Sequence, residues 1–241
     1  MFSSSQERIA LEQYGRAIAI APYSDDIHVG RMTKEMVRCG HSILQTHRFE
    51  GSDQDHVAKL LEYFAPPAGA HVLDAGCGVG IVAEIMKDLR PDLTFTLLNI
   101  SAAQLDLAAD GPVKIVGDFQ SIPVEDGSYD AAMFLFSLGH GLLGRSIAEV
   151  SRVLRSGGVL FIYDLSADEA SHDHVIDRIG YRPHSSNEVR AAALKFGFTH
   201  PMTIENPPVN TNAFIALFGA DEMARTGINR ARPTFYRFQK T

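Results

Sequence analysis

V-L-D-A-G-C-G-V-G, the stretch from Val72 to Gly80, decides the fold of this chain. Val72 and Leu73 end a short apolar run that is typical of a buried strand, and Asp74 closes it. The glycines that follow carry no Cβ, so they allow a tight turn and a close approach of the backbone to a ligand. The amphipathic run Ile81–Leu89 then predicts a helix. Together these features indicate the strand, loop and helix of a nucleotide-binding fold.

The spacing of the glycines separates two classes of cofactor. A dinucleotide-binding fingerprint has glycines at its first, third and sixth places. Here those places hold Gly76, Gly78 and Ile81, and the third glycine, Gly80, comes one residue early. The spacing therefore disfavours a nicotinamide cofactor, and a dehydrogenase is a distant alternative.

The same stretch, written D-x-G-x-G-x-G, resembles the first motif of class I S-adenosylmethionine (SAM) dependent methyltransferases. The resemblance implies that the loop lies under the ribose and methionine parts of SAM, with S-adenosylhomocysteine as the product. It assigns Asp74, Gly76, Gly78 and Gly80 to the cofactor site. Cys77 belongs to the same loop, where we expect it to pack compactly.

A second apolar run, Phe95–Leu98, ends in Asn99. The distance from the glycines is roughly 20 residues, at which a doubly wound sheet presents a ribose-binding side chain. Most families have Asp or Glu there, but the amide of Asn99 can also bond a ribose hydroxyl. The segment L-N-I-S-A-A-Q resembles the N-x-S form of glycine, sarcosine and sterol methyltransferases, which adds Ile100 and Gln104 to the predicted cofactor contacts.

A third strand is predicted at Val113–Gly117, followed by Asp118 and Phe119. By family resemblance Asp118 accepts the adenine amino proton and Phe119 packs on the ring. An isolated Asp after a strand is also a common turn or cap residue. Phe136, after the fourth strand, is assigned to the cofactor pocket, with a position in the core as the alternative.

The stretch S-x-x-R-V-L-R-S-G-G, Ser151–Gly158, completes the ordered series of motifs. Gly157 and Gly158 are predicted to stop a helix before the apolar strand Val159–Tyr163. The resemblance extends over roughly residues 72–165 and implies a seven-stranded, mostly parallel, doubly wound sheet of Rossmann-like type. Its last strand, near Thr234–Lys240, would be antiparallel.

Length and composition agree with one α/β unit and accessory segments. A chain of 241 residues with 45% hydrophobic content can bury a substantial core. We expect an N-terminal helical cap or lid at residues 1–65 and a SAM-binding core at residues 66–241. Insertions facing the substrate are expected near 166–186 and 207–233.

The formal net charge of −7 disfavours nucleic acid as the substrate, because phosphate backbones are bound by basic patches. The predicted partner is a small-molecule acceptor. Neither a signal peptide nor a membrane span is recognised, and Cys39 and Cys77 give no disulfide framework or metal site. A reducing cytoplasm is therefore expected, and the oligomeric state is left open, a homo-oligomer included.

Substrate specificity is expected before the core. Helices are predicted at Ser3–Ala21 and Asp53–Phe64. Between them, D-I-H-x-G resembles the lid entrance of small-metabolite methyltransferases, which makes Tyr23 and His28 candidate substrate contacts. An ordinary loop histidine is the alternative for His28.

His140 is the candidate general base. It follows the fourth strand, at the sheet edge where open α/β folds bind ligands. S-L-G-H resembles the S-L-x-H of sugar and quinone O-methyltransferases, and an imidazole with an ordinary pKa suits proton abstraction at neutral pH. The alternative is a histidine that caps the turn at Gly141.

The run from residue 179 loosely resembles the Y-x-x-x-x-H-P-x-S region of prenyl diphosphate C-methyltransferases, with Tyr181 and His184 as partial matches and candidate substrate contacts. A diphosphate could be met by arginines, namely Arg182, Arg225, Arg230, Arg232 and Arg237. O- or N-methylation of a small metabolite is favoured over C-methylation of an isoprenoid. A SAM-binding partner protein without transferase activity is the third hypothesis.

Overall fold

A seven-stranded sheet with helices on both faces organises the described residues of this computed structural model, which are 49–167, 181–205, 207 and 231–241. Tyr23, His28, Arg225, Arg230 and the predicted helix Ser3–Ala21 lie outside these residues. The elements, in chain order, are α1 (Asp53–Phe64), β1 (His71–Ala75), α2 (Ile81–Leu89), β2 (Thr94–Asn99), α3 (Ala102–Asp106), β3 (Val113–Val116), β4 (Tyr129–Leu135), a 3-10 turn (Leu138–His140), α4 (Leu143–Val153), β5 (Leu154–Ser166), α5 (Ser186–Lys195), β6 (Phe198–Glu205) and β7 (Arg232–Lys240).

The strand order is β3-β2-β1-β4-β5-β7-β6. Strands β1 to β5 are parallel, and β7 runs antiparallel to both β5 and β6. Leu73 of β1 pairs with Thr96 on one side and with Ala132 on the other. The predicted mostly parallel, doubly wound fold and its antiparallel last strand are confirmed.

The order of the strands reverses between β1 and β4. From β1 the chain proceeds outward through β2 and β3, then returns to add β4 and β5 on the other side. In open α/β sheets, ligands bind at the carboxyl ends of the strands flanking such a reversal, because the loops diverge there and leave a crevice. The loops after β1 and β4 therefore border the expected ligand crevice.

Each face of the sheet has its own apolar core. On one face, Val72 of β1 and Met133 of β4 pack with α1 and α2, whose buried residues include Val57. On the other face, Leu73 of β1 packs with α4 and α5, through side chains such as Ile147. Burial on both faces is the reason that these strands read as continuous apolar runs.

Side-chain caps fix where helices begin. The hydroxyl of Ser52 accepts the Asp55 N–H at 3.1 Å, and the Asp55 carboxylate accepts the Ser52 N–H at 2.8 Å, which closes a capping box at α1. Ser185 and Glu188 repeat this arrangement at α5. Such caps satisfy N–H groups that lack partners in the helix. Among the described helices, none has both the length and the apolar character that crossing a membrane requires.

The end of α4 differs from the prediction. The helix ends at Val153, and β5 begins at Leu154, so Gly157 and Gly158 lie within the strand rather than stopping the helix. Leu154 is fully buried and pairs with Tyr129, and the pairing then shifts register. Burial of Leu154 against the sheet outweighs helix continuation, and the glycines accommodate the irregularity that follows.

Candidate functional site

The loop after β1 folds over the end of β2. The N–H groups of Gly76 and Cys77 both donate to the carbonyl of Leu98, at 2.8 and 3.1 Å. Gly76, Gly78 and Gly80 have left-handed φ angles of 83°, 58° and 75°. Glycine adopts this conformation without the steric penalty that a Cβ brings.

The three glycines nevertheless face different surroundings. A Cβ on Gly76 would lie 2.5 Å from Cβ of Ser137, and one on Gly80 would lie 2.9 Å from Cδ1 of Leu97. A Cβ on Gly78 would meet no atom within 4 Å. The first and third glycines are therefore required by contacts within the protein, whereas the space beside Gly78 is open and can receive a ligand.

Asn99 supports this loop from below. Its amide group donates to the carbonyl of Gly78 at 3.1 Å and to Oε1 of Gln104 at 2.6 Å. A carboxylate at this position could not donate to either oxygen, which gives a physical reason for Asn in place of the usual acid. Asn99 and Gln104 are buried, whereas the next side chain, Ile100, is 46% exposed at the same edge of the sheet.

Asp118 and Phe119 follow β3 at this edge. The Asp118 carboxylate accepts the backbone N–H of Gln120 at 2.9 Å. The ring of Phe119 meets the ring of Phe134 edge-on, with 5.3 Å between centroids, and fills the space left by the missing side chain of Gly141. Phe119 therefore buttresses the loops around the crevice, and its predicted contact with adenine remains a prediction.

The loop after β4 is tied to the end of β1. The hydroxyl of Ser137 donates to the carbonyl of Ala75 at 2.6 Å, across the reversal of strand order. Before it, Phe136 has a φ of 53°, which is unusual for a residue with a side chain and costs about 1–2 kcal/mol. Its N–H donates to the carbonyl of Tyr163 at 2.9 Å, and the rings of the two residues are 4.6 Å apart. Strain of this kind is concentrated at functional sites.

His140 ends the 3-10 turn after β4 and is half-buried. The backbone N–H of His140 donates to the carbonyl of Ser137 at 3.0 Å, and the backbone N–H of Gly141 donates to the carbonyl of Leu138 at 3.1 Å. The backbone itself thus closes the turn, so a capping imidazole is not required for it. The His140 ring meets the ring of Tyr181 edge-on at 5.0 Å.

Two buried carboxyl groups lie at the carboxyl ends of β1 and β5. Asp74 and Asp164 are 2% and 4% exposed, and burial raises the pKa of each to about 7. Burial also raises the pKa of the Cys77 thiol, which disfavours the reactive thiolate, and the side chain packs against the core as predicted.

Sequence reasoning missed Asp164 and Ser137. The signal for Asp164 was present, because it follows an apolar run in β5 just as Asp74 follows one in β1. Ser137 carried no comparable signal, since its role depends on a contact with Ala75, 62 positions away in sequence.

The segment before α5 is largely buried. Tyr181 and His184 are both 4% exposed, and the His184 carbonyl accepts the Ser166 hydroxyl at 2.9 Å. Two of the arginines considered for a diphosphate have partners in the protein. Arg182 pairs with the Glu188 carboxylate at 3.1 Å, and Arg237 donates to the Phe64 carbonyl at 2.9 Å at the end of α1.

Comparison with known proteins finds methyltransferases. Residues 73–162 match the family described as a methyltransferase domain. The sterol 4-C-methyltransferase of Caenorhabditis elegans is 30% identical over 160 residues, which cover 58% of this chain and 47% of the relative. The chain thus spans about half the length of that relative.

Solved structures share the fold. The (4+2)-cyclase SpnF has a TM-score of 0.71 at 20% identity and covers 88% of this chain and 95% of its own. Geranyl diphosphate C-methyltransferase from Streptomyces coelicolor, in complex with Mg²⁺, geranyl diphosphate and S-adenosylhomocysteine, has a TM-score of 0.67 at 16% identity and covers 78% of this chain and 79% of its own. The match of residues 73–162 to a methyltransferase domain, together with the fold shared with these structures, agrees with the resemblance to class I SAM-dependent methyltransferases recognised from the motifs. The matches support SAM as the cofactor.

Proposed function

We propose that this protein transfers a methyl group from SAM to an oxygen or nitrogen atom of a small metabolite. The observation that carries the proposal is the open space beside Gly78, at the reversal of strand order, in a loop whose carbonyl is held by Asn99. Ile100, exposed at the same edge, offers an apolar surface for a ring such as adenine. These features support SAM as the ligand of this edge of the sheet.

Bound SAM supplies an electrophilic methyl group on a positively charged sulfur. The protein's part is to position the acceptor and to exclude water, and positioning alone contributes about 7–11 kcal/mol in favourable cases. His140 would take the proton from a hydroxyl or ammonium group of the acceptor. In this proposal the carboxyl edge of the sheet binds SAM through β1 and β2, and the acceptor is bound beside the loop after β4.

Two measurements test this function. Calorimetry is expected to detect binding of S-adenosylhomocysteine and none of NAD, and the reverse result would contradict the cofactor assignment.

With labelled SAM and a panel of hydroxyl, phenol and amine acceptors, we expect turnover that is unaffected by metal chelators. His140→Ala should then lower kcat by about 10²–10⁴-fold, with the affinity for S-adenosylhomocysteine nearly unchanged. A loss below threefold would exclude His140 as the base.

C-methylation of an isoprenoid is the second candidate. It is supported by the names of the sterol relative and of the geranyl diphosphate enzyme. A diphosphate needs cations, whereas Arg182 is already paired with Glu188 and Arg237 is bound to the end of α1. The decisive assay offers geranyl and farnesyl diphosphate with labelled SAM, with and without Mg²⁺. Mg²⁺-dependent methylation of either would favour this candidate over the first.

A third candidate is a SAM-binding protein without transferase activity. It is supported by the fold that this chain shares with a (4+2)-cyclase, whose name describes ring closure and not methyl transfer. Tight binding of SAM without turnover across a broad acceptor panel would support it. Methylation of any acceptor in the panel would exclude it.

A further inference from the structure

Asp164 joins three parts of the chain at the carboxyl end of β5. Its carboxylate accepts the N–H of Leu138, in the turn after β4, at 2.9 Å, and the N–H of Leu165 at 2.8 Å. It also accepts the hydroxyl of Tyr181, which belongs to the segment before α5. Because the carboxylate is 4% exposed, these bonds replace water in satisfying it.

Tyr181 is in turn packed against the turn that carries His140. A Cβ on Gly139 would lie 2.5 Å from two atoms of the Tyr181 ring, so only glycine permits this approach. The N–H of Arg182 donates to the carbonyl of Gly139 at 2.8 Å. The rings of Tyr181 and His140 stand at 78°, with centroids 5.0 Å apart. The position of the imidazole is therefore coupled to the position of the Tyr181 ring.

From this geometry we propose that Asp164 and Tyr181 are positioning residues that hold His140 at the acceptor site. The inference rests on the proposed function, in which His140 takes a proton from the acceptor. A general base must lie within hydrogen-bond reach of the proton that it abstracts, and small displacements lower the rate strongly. The Tyr181 hydroxyl is bound to Asp164 and its ring is buried, so Tyr181 acts through His140 rather than by binding the acceptor.

Tyr181→Phe is the main test, because it removes one hydroxyl and keeps the ring that fills the space beside Gly139. We expect kcat to fall about tenfold or more, with the KM for SAM and the affinity for S-adenosylhomocysteine within twofold of the wild type. Asp164→Asn should have a similar effect. The double variant should be no worse than the more impaired single variant, because the two residues act as one unit.

Nuclear magnetic resonance of the His140 imidazole gives a readout that needs no acceptor. The resonance is identified by its loss in His140→Gln, and we expect Tyr181→Phe to shift or broaden it. Tyr129→Phe is the matched control, because Tyr129 makes the same kind of edge-on contact with His71, at 4.7 Å, on the opposite edge of the sheet. It should leave the His140 resonance unchanged.

The outcomes separate the inference from the proposed function. If no acceptor is methylated but Tyr181→Phe shifts the His140 resonance, the positioning of His140 holds and the catalytic function fails. If methylation is found while Tyr181→Phe and Asp164→Asn leave both kcat and the resonance as in the wild type, the inference is wrong and the proposed function stands. Unequal, additive losses in the two single variants would also contradict the inference.

Discussion

The two edges of the sheet carry nearly the same set of side chains in opposite electrostatic settings. At the amino edge, the ring of His71 meets the ring of Tyr129 edge-on, and the neighbouring Asp130 forms a salt bridge with Arg155. At the carboxyl edge, His140 meets Tyr181, whose hydroxyl bonds to Asp164. Among the described residues no salt bridge to Asp164 is found.

The two edges differ in the partners of their carboxylate groups. The Asp130 carboxylate pairs with Arg155 and accepts the backbone N–H of His71 at 2.7 Å. Asp164 has amides and a hydroxyl, and burial raises its pKa to about 7. A buried carboxyl group without a cation is costly, and such groups are concentrated where a site needs them. The amino edge is built for stability, and the carboxyl edge keeps a destabilising group that fixes the candidate base.

The largest expected effect contrasts one glycine from each edge. Gly78 and Gly69 share left-handed φ angles, of 58° and 69°, and a Cβ on either would meet no atom within 4 Å. Asn tolerates this conformation, so Gly78→Asn and Gly69→Asn should each change stability by less than about 1 kcal/mol. Only Gly78→Asn should weaken S-adenosylhomocysteine binding, by about a hundredfold or more, which corresponds to about 2.7 kcal/mol.

Calorimetry measures these affinities, and thermal unfolding measures the stabilities. Equal affinities for Gly78→Asn and the wild type would show that the ligand does not approach this loop. An equal loss in Gly69→Asn would mean that the effect arises from the backbone rather than from the open space beside Gly78.

An intermediate effect is expected from the pH dependence of stability. The pKa of Asp164 is raised from 3.8 to about 7 in the folded state, so the folded protein binds this proton more tightly than the unfolded chain does. The resulting stability is complete below pH 4 and is lost as the pH rises through 7. As the pH rises from 5 to 8, the free energy of unfolding of Asp164→Asn should therefore increase relative to that of the wild type by on the order of 2 kcal/mol.

Urea unfolding at the two pH values measures this change. Asp74, whose pKa is also raised to about 7, is present in both proteins, so its contribution cancels in the difference. Asp130→Asn is the counterpart at the amino edge and should destabilise the protein, because it removes the partner of Arg155. A stability difference for Asp164→Asn that falls as the pH rises would contradict the assigned burial effect.

The smallest expected effect is at the amino edge. Arg155→Met removes the salt bridge to Asp130, but the arginine side chain is 57% exposed, so the loss should stay below about 1 kcal/mol and shrink at high salt. The pKa of His71 is lowered first by burial and then by the charge of Arg155, so the variant should raise that pKa. A histidine titration by magnetic resonance tests both edges together, since His140 should not respond.

The class of fold and the cofactor loop could be predicted from local sequence. Buried parallel strands read as apolar runs, and glycine adopts left-handed φ angles without steric cost, so the β1 loop and the end of β2 were placed correctly from local sequence. The last strand was placed by family resemblance. The end of α4 was misplaced, because the burial of Leu154 against the sheet decides it and two nearby glycines do not.

What the sequence determined by itself was the α/β architecture, the type of loop and the candidacy of His140, since each depends on residue types at short spacing. Only the tertiary structure decided which glycine leaves open space and which carboxylate holds the turn after β4. Gly76 and Gly80 differ from Gly78 through Ser137 and Leu97, which belong to other strands and loops. The order of the strands decides which residues that are distant in the sequence come into contact, and a local sequence pattern does not specify that order.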